Sequence, residues 1–350
     1  MVESIDKLVR PNIKELKPYR SARDDFSEGI LLDANENSYG SPFETDLQLN
    51  RYPDPYQHKL RGLIAGYRDV KPEQVFTGVG SDEAIDLLIR IFCEPGVDHI
   101  ITTPPTYGMY KVSASVNNVA VKKVQLTPDF QPDVDGIIEQ LSSRSKILFL
   151  CSPNNPTANL FNKKVVERLI HSFPGIVVVD EAYIDFATQQ SLAGLTSTHS
   201  NLVVTQTLSK AFGLAGIRLG IAIAPADIIT YLMKIKAPYN VNSLTAQTAA
   251  KAFDHIENME ANVARIREQR EWLEDQLNAM NCVENVFPSD ANFLLFRIDD
   301  ALNVYKTLAK QGIIIRYRGN EPLCENCLRV TVGTPEQNKR FINVLRKIAE

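Results

Sequence analysis

The sequence predicts an α/β protein with a mostly parallel, doubly wound sheet, followed by a smaller α+β region. Short runs rich in Val and Ile recur between about residues 55 and 225, and helical patterns separate them. After residue 240 the pattern of apolar residues changes. Several runs, such as IVVVD at 176–180, are continuously apolar, which is typical of strands buried on both faces. Strands that alternate with helices indicate a parallel sheet covered on both sides.

The strands and helices of the large region follow one another along the chain. SDEAIDLLIRIF (81–92) and KKVVERLIHSF (163–173) place apolar residues three or four positions apart, which predicts amphipathic helices. The candidate strands are VFTG (75–78), HIITT (99–103), VAVKKVQL (119–126), KILFLC (146–151), IVVVD (176–180), LVVTQT (202–207) and RLGIAIA (218–224).

The C-terminal region has a different pattern. The stretch from Ser243 to Met280 contains no Pro or Gly and is helical in composition. Three apolar segments and a final amphipathic helix come after it: DANFLLFRI (290–298), GIIIRYR (312–318), CLRVTVG (327–333) and PEQNKRFINVLRKIA (335–349). We therefore expect an N-terminal arm (1–30) that packs with the small domain and the substrate site, a large domain (31–240), and a connecting helix with a small C-terminal domain (241–350).

Composition and charge argue against several classes of protein. The formal net charge of −4 provides no basic surface for nucleic acid and no polybasic membrane anchor. No apolar run approaches the roughly 18 residues expected of a membrane span. The opening MVESIDKLVRPN lacks the apolar centre of a secretory signal. We expect a cytoplasmic protein that binds neither nucleic acid nor membrane.

The cysteine and histidine residues do not predict a metal site. Cys324 and Cys327 have metal-ligand spacing, but no second pair of ligands lies nearby in the sequence. A structural zinc site needs four ligands, so we expect this pair to flank a turn before the strand LRVTV. The five histidines form no HExxH or comparable cluster.

Polar residues follow four of the candidate strands. Asp180 ends IVVVD, Lys210 follows LVVTQTLS, SPNNPT (152–157) follows KILFLC, and GSDE (80–83) follows VFTG. In an open α/β sheet, ligands bind outside the carboxyl ends of the strands. The four clusters are therefore expected to meet at one edge.

The GSDE turn opens a helix and permits two interpretations. Ser81 or Asp82 could cap the helix, which would be a structural role alone. The free N–H groups of the first turn and the helix dipole would also suit a phosphate. Arg218 could then bind that phosphate, with the hydroxyl groups of Thr207 and Ser209 beside it.

The remaining residues of this edge also have two interpretations each. A buried Asp180 needs a partner, which could be an ordinary salt bridge or a protonated ring nitrogen. Tyr183 could direct its hydroxyl to the same ring, and Tyr107 could either stack on it or pack in the core. Lys210 could be a surface lysine, the common case, or a covalent anchor for an aldehyde. Together these residues form the set that pyridoxal 5′-phosphate requires.

Over nearly its whole length the chain resembles the fold-type I pyridoxal-phosphate aminotransferases. The matching stretches are KPYRSAR (17–23), LDANEN (32–37), RYPDP (51–55), GSDEAIDLLIR (80–90), PPTYGMY (104–110), SPNNPT (152–157), VVVDEAYIDF (177–186), TLSKAFGLAGIR (207–218), DANFLLF (290–296) and CLRVTVGT (327–334). DEAY, SKAF and NNPT are typical of the superfamily. KPYRSAR, LDANEN and CLRVTVGT favour a member that exchanges an amino group between L-histidinol phosphate and 2-oxoglutarate in histidine biosynthesis.

The resemblance implies a role for each residue around the cofactor ring. Lys210 would hold the cofactor covalently and then act as the general base that moves the substrate Cα proton. Asp180 would pair with the pyridine nitrogen, and Asn155 and Tyr183 with the ring hydroxyl. Tyr107 would stack on the ring.

The resemblance also implies a phosphate site and a dimer. The phosphate would be held by the Ser81 and Asp82 amides, Thr207, Ser209 and Arg218. Tyr52 would reach the cofactor phosphate of the neighbouring subunit, so a homodimer is expected.

The resemblance assigns the substrates to an arginine. Arg329 matches the residue that usually receives a substrate α-carboxylate. Here it would bind the phosphate of histidinol phosphate, with help from Tyr19 and Arg316. It would then bind the carboxylate of the second substrate, 2-oxoglutarate. One departure is Ala158, where the family usually has glycine after NPT. Alanine would be strained if that turn needs a positive φ.

Four other functions compete with this one. Arg329 would also accept the carboxylate of aromatic amino acids, which makes an aromatic aminotransferase the main alternative. A decarboxylase of the same fold would need no keto acid. A regulator that keeps the cofactor domain would need an added DNA-binding segment, for which the polar N-terminal thirty residues leave no room. A nicotinamide dehydrogenase would need GxGxxG, and GVGSDE has only its first two glycines.

Overall fold

The computed structural model describes residues 4–26, 28–45 and 47–349, and their strands form two sheets. The strands are β1 (Val75–Val79), β2 (His99–Thr102), β3 (Ala120–Lys123), β4 (Ser145–Cys151), β5 (Ile176–Asp180), β6 (Leu202–Thr207), β7 (Leu219–Ile223), β8 (Val283–Val286), β9 (Phe293–Ile298), β10 (Arg316–Tyr317) and β11 (Cys327–Thr331). The large sheet has seven strands in the order β1-β7-β6-β5-β4-β2-β3, and the small sheet has four in the order β10-β11-β9-β8.

Helices cover both sheets. The α-helices are α1 (Pro11–Glu15), α2 (His58–Arg68), α3 (Gly80–Phe92), α4 (Met109–Val116), α5 (Val134–Glu139), α6 (Lys163–Ser172), α7 (Ala226–Ile235), α8 (Ser243–Phe253), α9 (Ile256–Asn278), α10 (Ala301–Lys310) and α11 (Pro335–Ala349). Short 3-10 helices span Ile5–Lys7, Ala22–Asp24, Pro72–Gln74, Ile184–Phe186, Leu192–Ser197 and Ala215–Ile217. Within the described ranges, no helix combines the length and the apolar character needed to cross a membrane.

The large sheet is mostly parallel, which confirms the predicted fold class. β3, β2, β4, β5 and β6 pair in parallel, whereas β7 is antiparallel to both β6 and β1. In this register Cys151 at the end of β4 lies beside Asp180 of β5, which lies beside Thr205 of β6. The carboxyl ends of β4 and β5 are therefore level, β6 continues two residues further to Thr207, and the polar segments after the three strands leave the sheet at one edge.

The central strands are buried on both faces. Alternate residues of β4 divide between two apolar clusters: Ile147 and Phe149 pack with α3, while Leu148 and Leu150 pack with α6. Full burial of such a side chain contributes about 1.5–3 kcal/mol. This explains why these strands read as continuous apolar runs rather than as alternating ones.

The small sheet has its own core and a second contact surface. Leu294 and Phe296 of β9 pack with α9, α10 and α11, together with Leu328 of β11. On the other side of this sheet, Leu295 and Cys327 join the cluster that contains β4, β5 and β6 residues. That side of the small sheet therefore faces the large sheet.

The described part of the N-terminal arm contacts the large sheet's helices. Ile5 and Val9 are buried in the same cluster as α3 and α7 residues, and the Tyr231 hydroxyl of α7 donates to Asp6 Oδ1 at 2.7 Å. These residues pack with helices of the large region, and the expected packing of the arm (1–30) with the small domain and the substrate site stays a prediction. Ile5 and Val9 are 5% and 6% exposed in this cluster. The domain boundaries themselves stay a prediction.

Candidate active site

A polar pocket, which we call the Lys210 pocket, lies at the carboxyl ends of β4, β5 and β6 beside the start of α3. Every residue that the sequence assigned to the cofactor lines it, with the exception of Tyr52. The lining residues are Gly80, Ser81, Asp82, Tyr107, Cys151, Asn155, Asp180, Ala182, Tyr183, Thr207, Ser209, Lys210 and Arg218.

Asp180 forms the deep end of the pocket and is 2% exposed. Its Oδ2 accepts a hydrogen bond from the Tyr110 hydroxyl at 2.6 Å, and its Oδ1 accepts one from the Ala182 N–H at 3.2 Å. Both donors are neutral, so the salt bridge considered from the sequence is not among the contacts that the described residues make. Burial raises the pKa of the Asp180 carboxyl, while the Tyr110 hydrogen bond opposes that rise. A cation or a protonated ring nitrogen in the pocket would stabilise the ionised form.

Tyr110 is a residue of this site that the sequence reasoning missed. Its ring is fully buried, stacks on Phe149 at a centroid distance of 4.6 Å, and meets Tyr107 edge-on at 5.5 Å. Tyr110 is the second tyrosine of PPTYGMY, three residues after Tyr107. A spacing of three places two side chains on the same side of a helical turn, and this was the available signal.

The start of α3 forms the opposite end of the pocket. Gly80 has φ +73°, and its N–H donates to the Arg218 carbonyl at 2.7 Å. The N-cap residue is Val79, whose side chain makes no capping hydrogen bond, and the Val79 N–H donates to Glu83 Oε2 at 2.5 Å. Ser81 and Asp82 therefore lie in the first turn and not at the cap, so the capping alternative was wrong. The first N–H groups of a helix have no intrahelical acceptor and are suited to an anion.

Two glycines permit this close approach. A Cβ on Gly220 would lie 2.0 Å from the Ser81 nitrogen, and a Cβ on Gly80 would lie 2.8 Å from Arg218 Nη2. Only a residue without a side chain allows β7, the start of α3 and the arginine to meet in this way.

The remaining anion-binding groups lie around the same helix start. The Thr207 hydroxyl donates to Ser209 Oγ at 3.0 Å, which holds the two hydroxyl groups side by side. Arg218 has φ +55°, and its Nη2 is 3.6 Å from Asp82 Oδ2. The guanidinium is half-exposed, so it can contact an anion in the pocket.

Lys210 lies between these two ends, in the loop after β6. Its Nζ is 5.4 Å from the centroid of the Tyr183 ring, and the side chain is half-buried. Burial lowers the pKa of the Lys210 amine, the charge of Arg329 lowers it further, and Asp180 opposes the effect. A lysine with a lowered pKa is more often neutral, which suits it to act as a nucleophile and a base.

Arg329 of β11 reaches the rim of the pocket. Its Nη1 donates to Asn155 Oδ1, and its guanidinium lies 5.0 Å from the Phe293 ring centroid. Asn155 Nδ2 is in turn 3.5 Å from the Tyr183 hydroxyl. Burial lowers the pKa of Arg329 to about 10, and its Nε has no hydrogen-bond partner among the described residues. The guanidinium is therefore oriented by the protein and retains an unused donor.

The turn after Asn155 has the strained geometry considered from the sequence. Ala158 is fully buried with φ +70°, and its carbonyl accepts a hydrogen bond from the Asp290 N–H at 2.8 Å. The left-handed conformation costs a non-glycine residue about 1–2 kcal/mol. The Asn155 side chain remains in the pocket in spite of this strain.

Four predicted site residues do not line the pocket of this chain, and of these Arg329 contacts it through Asn155. Tyr52 is 51% exposed and stacks on Tyr239 at 4.5 Å, and Tyr19 is 68% exposed. Arg316 is directly opposite Arg329 in the register of the small sheet but is exposed. Arg318 follows β10 and was not singled out from the sequence. Its side chain is more buried than that of Arg316.

The donor set of the pocket fits pyridoxal 5′-phosphate. A carboxylate without a cationic partner lies at one end, suited to a protonated ring nitrogen. A glycine-lined helix start with two hydroxyl groups and an arginine lies at the other end, suited to a phosphate, and a lysine lies between them. No group of three or more His, Cys, Asp or Glu side chains that could hold a metal ion occurs in the part of the chain that the structure describes.

Comparisons with known proteins agree with this geometry. The family model "Aminotransferase class I and II" matches residues 27–345. A histidinol-phosphate aminotransferase of Christiangramia forsetii is 48% identical over 99% of this chain and 98% of its own. A protein of the same name from Flavobacterium johnsoniae is 50% identical over 98% of both chains.

Solved structures support the same fold. The histidinol-phosphate aminotransferase of Clostridium acetobutylicum has a TM-score of 0.79 at 25% identity and covers 86% of this chain and 91% of its own. The Sinorhizobium meliloti protein of that name, in complex with pyridoxal 5′-phosphate, has a TM-score of 0.79 at 20% identity, with 90% and 89% covered.

Proposed function

The chain belongs to the class I and II aminotransferases, and we propose that it transfers the amino group of L-histidinol phosphate to 2-oxoglutarate in histidine biosynthesis. The products are imidazole acetol phosphate and glutamate. The observation that carries the proposal is the gathering of Asp180, Lys210 and the Gly80–Arg218 anion site in one pocket. The substrate is proposed from the names of relatives that are 44–50% identical over nearly the full chain.

The enzyme uses pyridoxal 5′-phosphate as its cofactor. When bound, this group supplies the aldehyde carbon that exchanges amino groups and a ring that withdraws electrons from the substrate Cα. We assign the ring nitrogen to Asp180, whose two existing donors leave it oriented toward the pocket. The phosphate is assigned to the first turn of α3, the Thr207 and Ser209 hydroxyl groups, and Arg218.

Lys210 is proposed as the covalent anchor and as the base that removes the substrate Cα proton. Its lowered pKa supports both roles, because a neutral amine is needed for each. Tyr183 and Asn155 are assigned to the ring hydroxyl. Tyr107 is assigned to the ring face, since its own hydroxyl is held by Asp82 Oδ1 at 3.1 Å.

Arg329 is proposed to bind the anionic end of each substrate in turn. Histidinol phosphate has no carboxylate, so its phosphate would contact the arginine in the first half-reaction. The carboxylate of 2-oxoglutarate would do so in the second. The unpartnered Nε and the support from Asn155 and Phe293 favour this role.

We propose a homodimer as the functional unit. Tyr52 is exposed and does not line the pocket of its own chain, which is expected of a residue that serves a partner's pocket. Four large apolar side chains of the preceding segment are also exposed, namely Ile30, Leu32, Tyr39 and Phe43. Apolar surface of this kind marks interaction sites. The expected cytoplasmic location stays a prediction.

The test is a visible absorbance titration of the holoenzyme with histidinol phosphate in the absence of a keto acid. The yellow band of the lysine-bound cofactor should disappear as the amino form of the cofactor accumulates. Addition of 2-oxoglutarate should restore the band.

Other outcomes would favour the alternatives. Loss of the band with phenylalanine or tyrosine, but not with histidinol phosphate, would favour an aromatic aminotransferase. Turnover of a phosphorylated amino acid with no requirement for 2-oxoglutarate would favour a decarboxylase. A protein that binds no pyridoxal 5′-phosphate would contradict the proposal altogether.

A further inference from the structure

We propose that Arg318 is a specificity-determining residue that favours a phosphate dianion over a carboxylate at the substrate site. This inference rests on the proposed reaction with histidinol phosphate. Arg329 alone can bind either a phosphate or a carboxylate, and we assign to Arg318 part of the preference for the phosphate.

The register of the small sheet places Arg318 on the same side as Arg329. Arg316 of β10 is directly opposite Arg329 of β11, and Tyr317 is opposite Leu328. The N–H of Arg318 donates to the Cys327 carbonyl at 2.9 Å, which continues this pairing by one residue. Because side chains alternate along a strand, Arg316, Arg318 and Arg329 share one side of the sheet.

That side faces the large sheet and the Lys210 pocket. Leu295, the cross-strand partner of Arg329, and Cys327 both pack in the cluster that contains β4, β5 and β6 residues. Leu328, on the opposite side, packs in the core of the small sheet. Arg318 therefore extends toward the pocket, and its positive charge acts on the Tyr183 hydroxyl that lines it.

Arg318 is half-buried and poorly paired. Its side chain is 19% exposed, and its Nε is buried with no partner among the residues the structure describes. Its contact with a carboxylate is a distant one: Glu321 Oε1 lies 4.0 Å from Nη1. Burial and the charge of Arg316 lower the pKa of Arg318. Burial and the charge of Arg318 in turn lower the pKa of Arg329, whose Nε is also buried without a partner among the described residues. An anion between Arg318 and Arg329 would offset the repulsion between their like charges.

A phosphate monoester fits this arrangement better than a carboxylate does. It carries a charge of about −1.5 to −2 at neutral pH and presents three acceptor oxygens, so it can accept from two arginines at once. A carboxylate carries one charge and is satisfied by one bidentate arginine. Removal of Arg318 should therefore weaken binding of the phosphate substrate more than binding of glutamate.

The experiment measures the two half-reactions separately in the holoenzyme, by spectral titration with histidinol phosphate and with glutamate. Arg318→Gln should raise the dissociation constant for histidinol phosphate by about tenfold or more and that for glutamate by less than about threefold. Arg318→Lys, which keeps the charge and loses the planar fork, should fall between wild type and Arg318→Gln. Arg346→Gln is the matched control, because Arg346 of α11 donates to Gln276 within the small domain.

A pH series and a competing ion add readouts that do not depend on turnover. Wild-type affinity for histidinol phosphate should fall as pH drops through about 6, where the phosphate takes up its second proton. Arg318→Gln should show a flatter dependence. Inorganic phosphate should compete with histidinol phosphate in wild type and compete less well in Arg318→Gln.

The outcomes separate this inference from the proposed function. Equal losses for both substrates, or no loss for either, would overturn the role of Arg318 while leaving the aminotransferase reaction intact. A wild-type enzyme that reacts with glutamate but not with histidinol phosphate would instead refute the proposed substrate. If Arg318→Gln fails to fold, Arg318→Lys still decides, because a purely structural role predicts equal changes in both half-reactions.

Discussion

Tyr110→Phe removes one hydroxyl group behind the cofactor site and keeps the ring that packs on Phe149. The lost hydrogen bond is 2.6 Å long and ends on Asp180 Oδ2, whose carboxylate otherwise accepts from the Ala182 N–H. A hydrogen bond to a charged group contributes about 1.5–3 kcal/mol. Since about 1.36 kcal/mol corresponds to one pKa unit, the pKa of Asp180 should rise by about one to two units.

The sign of the effect follows from the contact. Tyr110 lowers the pKa of Asp180 against the rise caused by burial, so its loss favours the protonated carboxyl. A proton shared between Asp180 and the ring nitrogen would then lie more on Asp180. The affinity for pyridoxal 5′-phosphate should weaken by about tenfold or more, because the pairing with the ring nitrogen needs an ionised Asp180. The less electron-poor ring should also raise the pH at which the visible band titrates.

The assay is reconstitution of the apoenzyme with pyridoxal 5′-phosphate, followed by a pH titration of the visible band. The control is Tyr231→Phe, which removes a hydroxyl bonded to Asp6 at 2.7 Å on the surface. The reasoning would be refuted if Tyr110→Phe bound the cofactor as tightly as wild type and its band titrated at the same pH.

The remaining predictions concern the anchor, the substrate arginine and the dimer. Lys210→Ala should reduce turnover by at least about 100-fold with an unchanged circular dichroism spectrum; retained activity would end the assignment of Lys210 as the base. Arg329→Ala should lower kcat/KM by about 30-fold or more in both half-reactions, since truncation of one partner in a charge pair costs about 2–5 kcal/mol. A loss confined to the half-reaction with 2-oxoglutarate would mean that the phosphate of histidinol phosphate binds elsewhere. Tyr52→Phe should weaken cofactor affinity by about tenfold in the dimer; unchanged affinity would remove Tyr52 from the partner's phosphate site.

The sequence predicted the large sheet well because its central strands are buried on both faces. IVVVD and LVVTQT coincide with β5 and β6 to the residue. The edge strand was predicted less well, since VAVKKVQL extends beyond the observed β3. Strand β8 (Val283–Val286) was missed because it is short and its two middle residues, Glu284 and Asn285, are polar and exposed.

The pocket was predictable wherever a residue follows a strand end. Asp180, Asn155 and Lys210 lie where the sheet rule places them. Tyr110 and Arg318 were not predicted, because their contacts depend on packing between elements that are distant in the sequence. Arg316 was named from the family resemblance and Arg318 was not considered, because the sequence does not reveal how deeply each side chain is buried.

Two adjacent buried carboxylates show how contacts separate a structural acid from a functional one. Glu181 follows Asp180 directly, and burial raises the pKa of both. Glu181 accepts hydrogen bonds from the Leu192 N–H at 2.7 Å, from the Ser191 hydroxyl and from Gln206 Nε2 at 2.9 Å, and it does not line the Lys210 pocket. The fold therefore satisfies Glu181 from within. Asp180 accepts from two neutral donors and lines the pocket, so its remaining acceptor capacity is available to a bound group. The hydrogen bonds around the two acids of DEAY therefore support the proposal that Asp180, rather than Glu181, is the partner of a ring nitrogen.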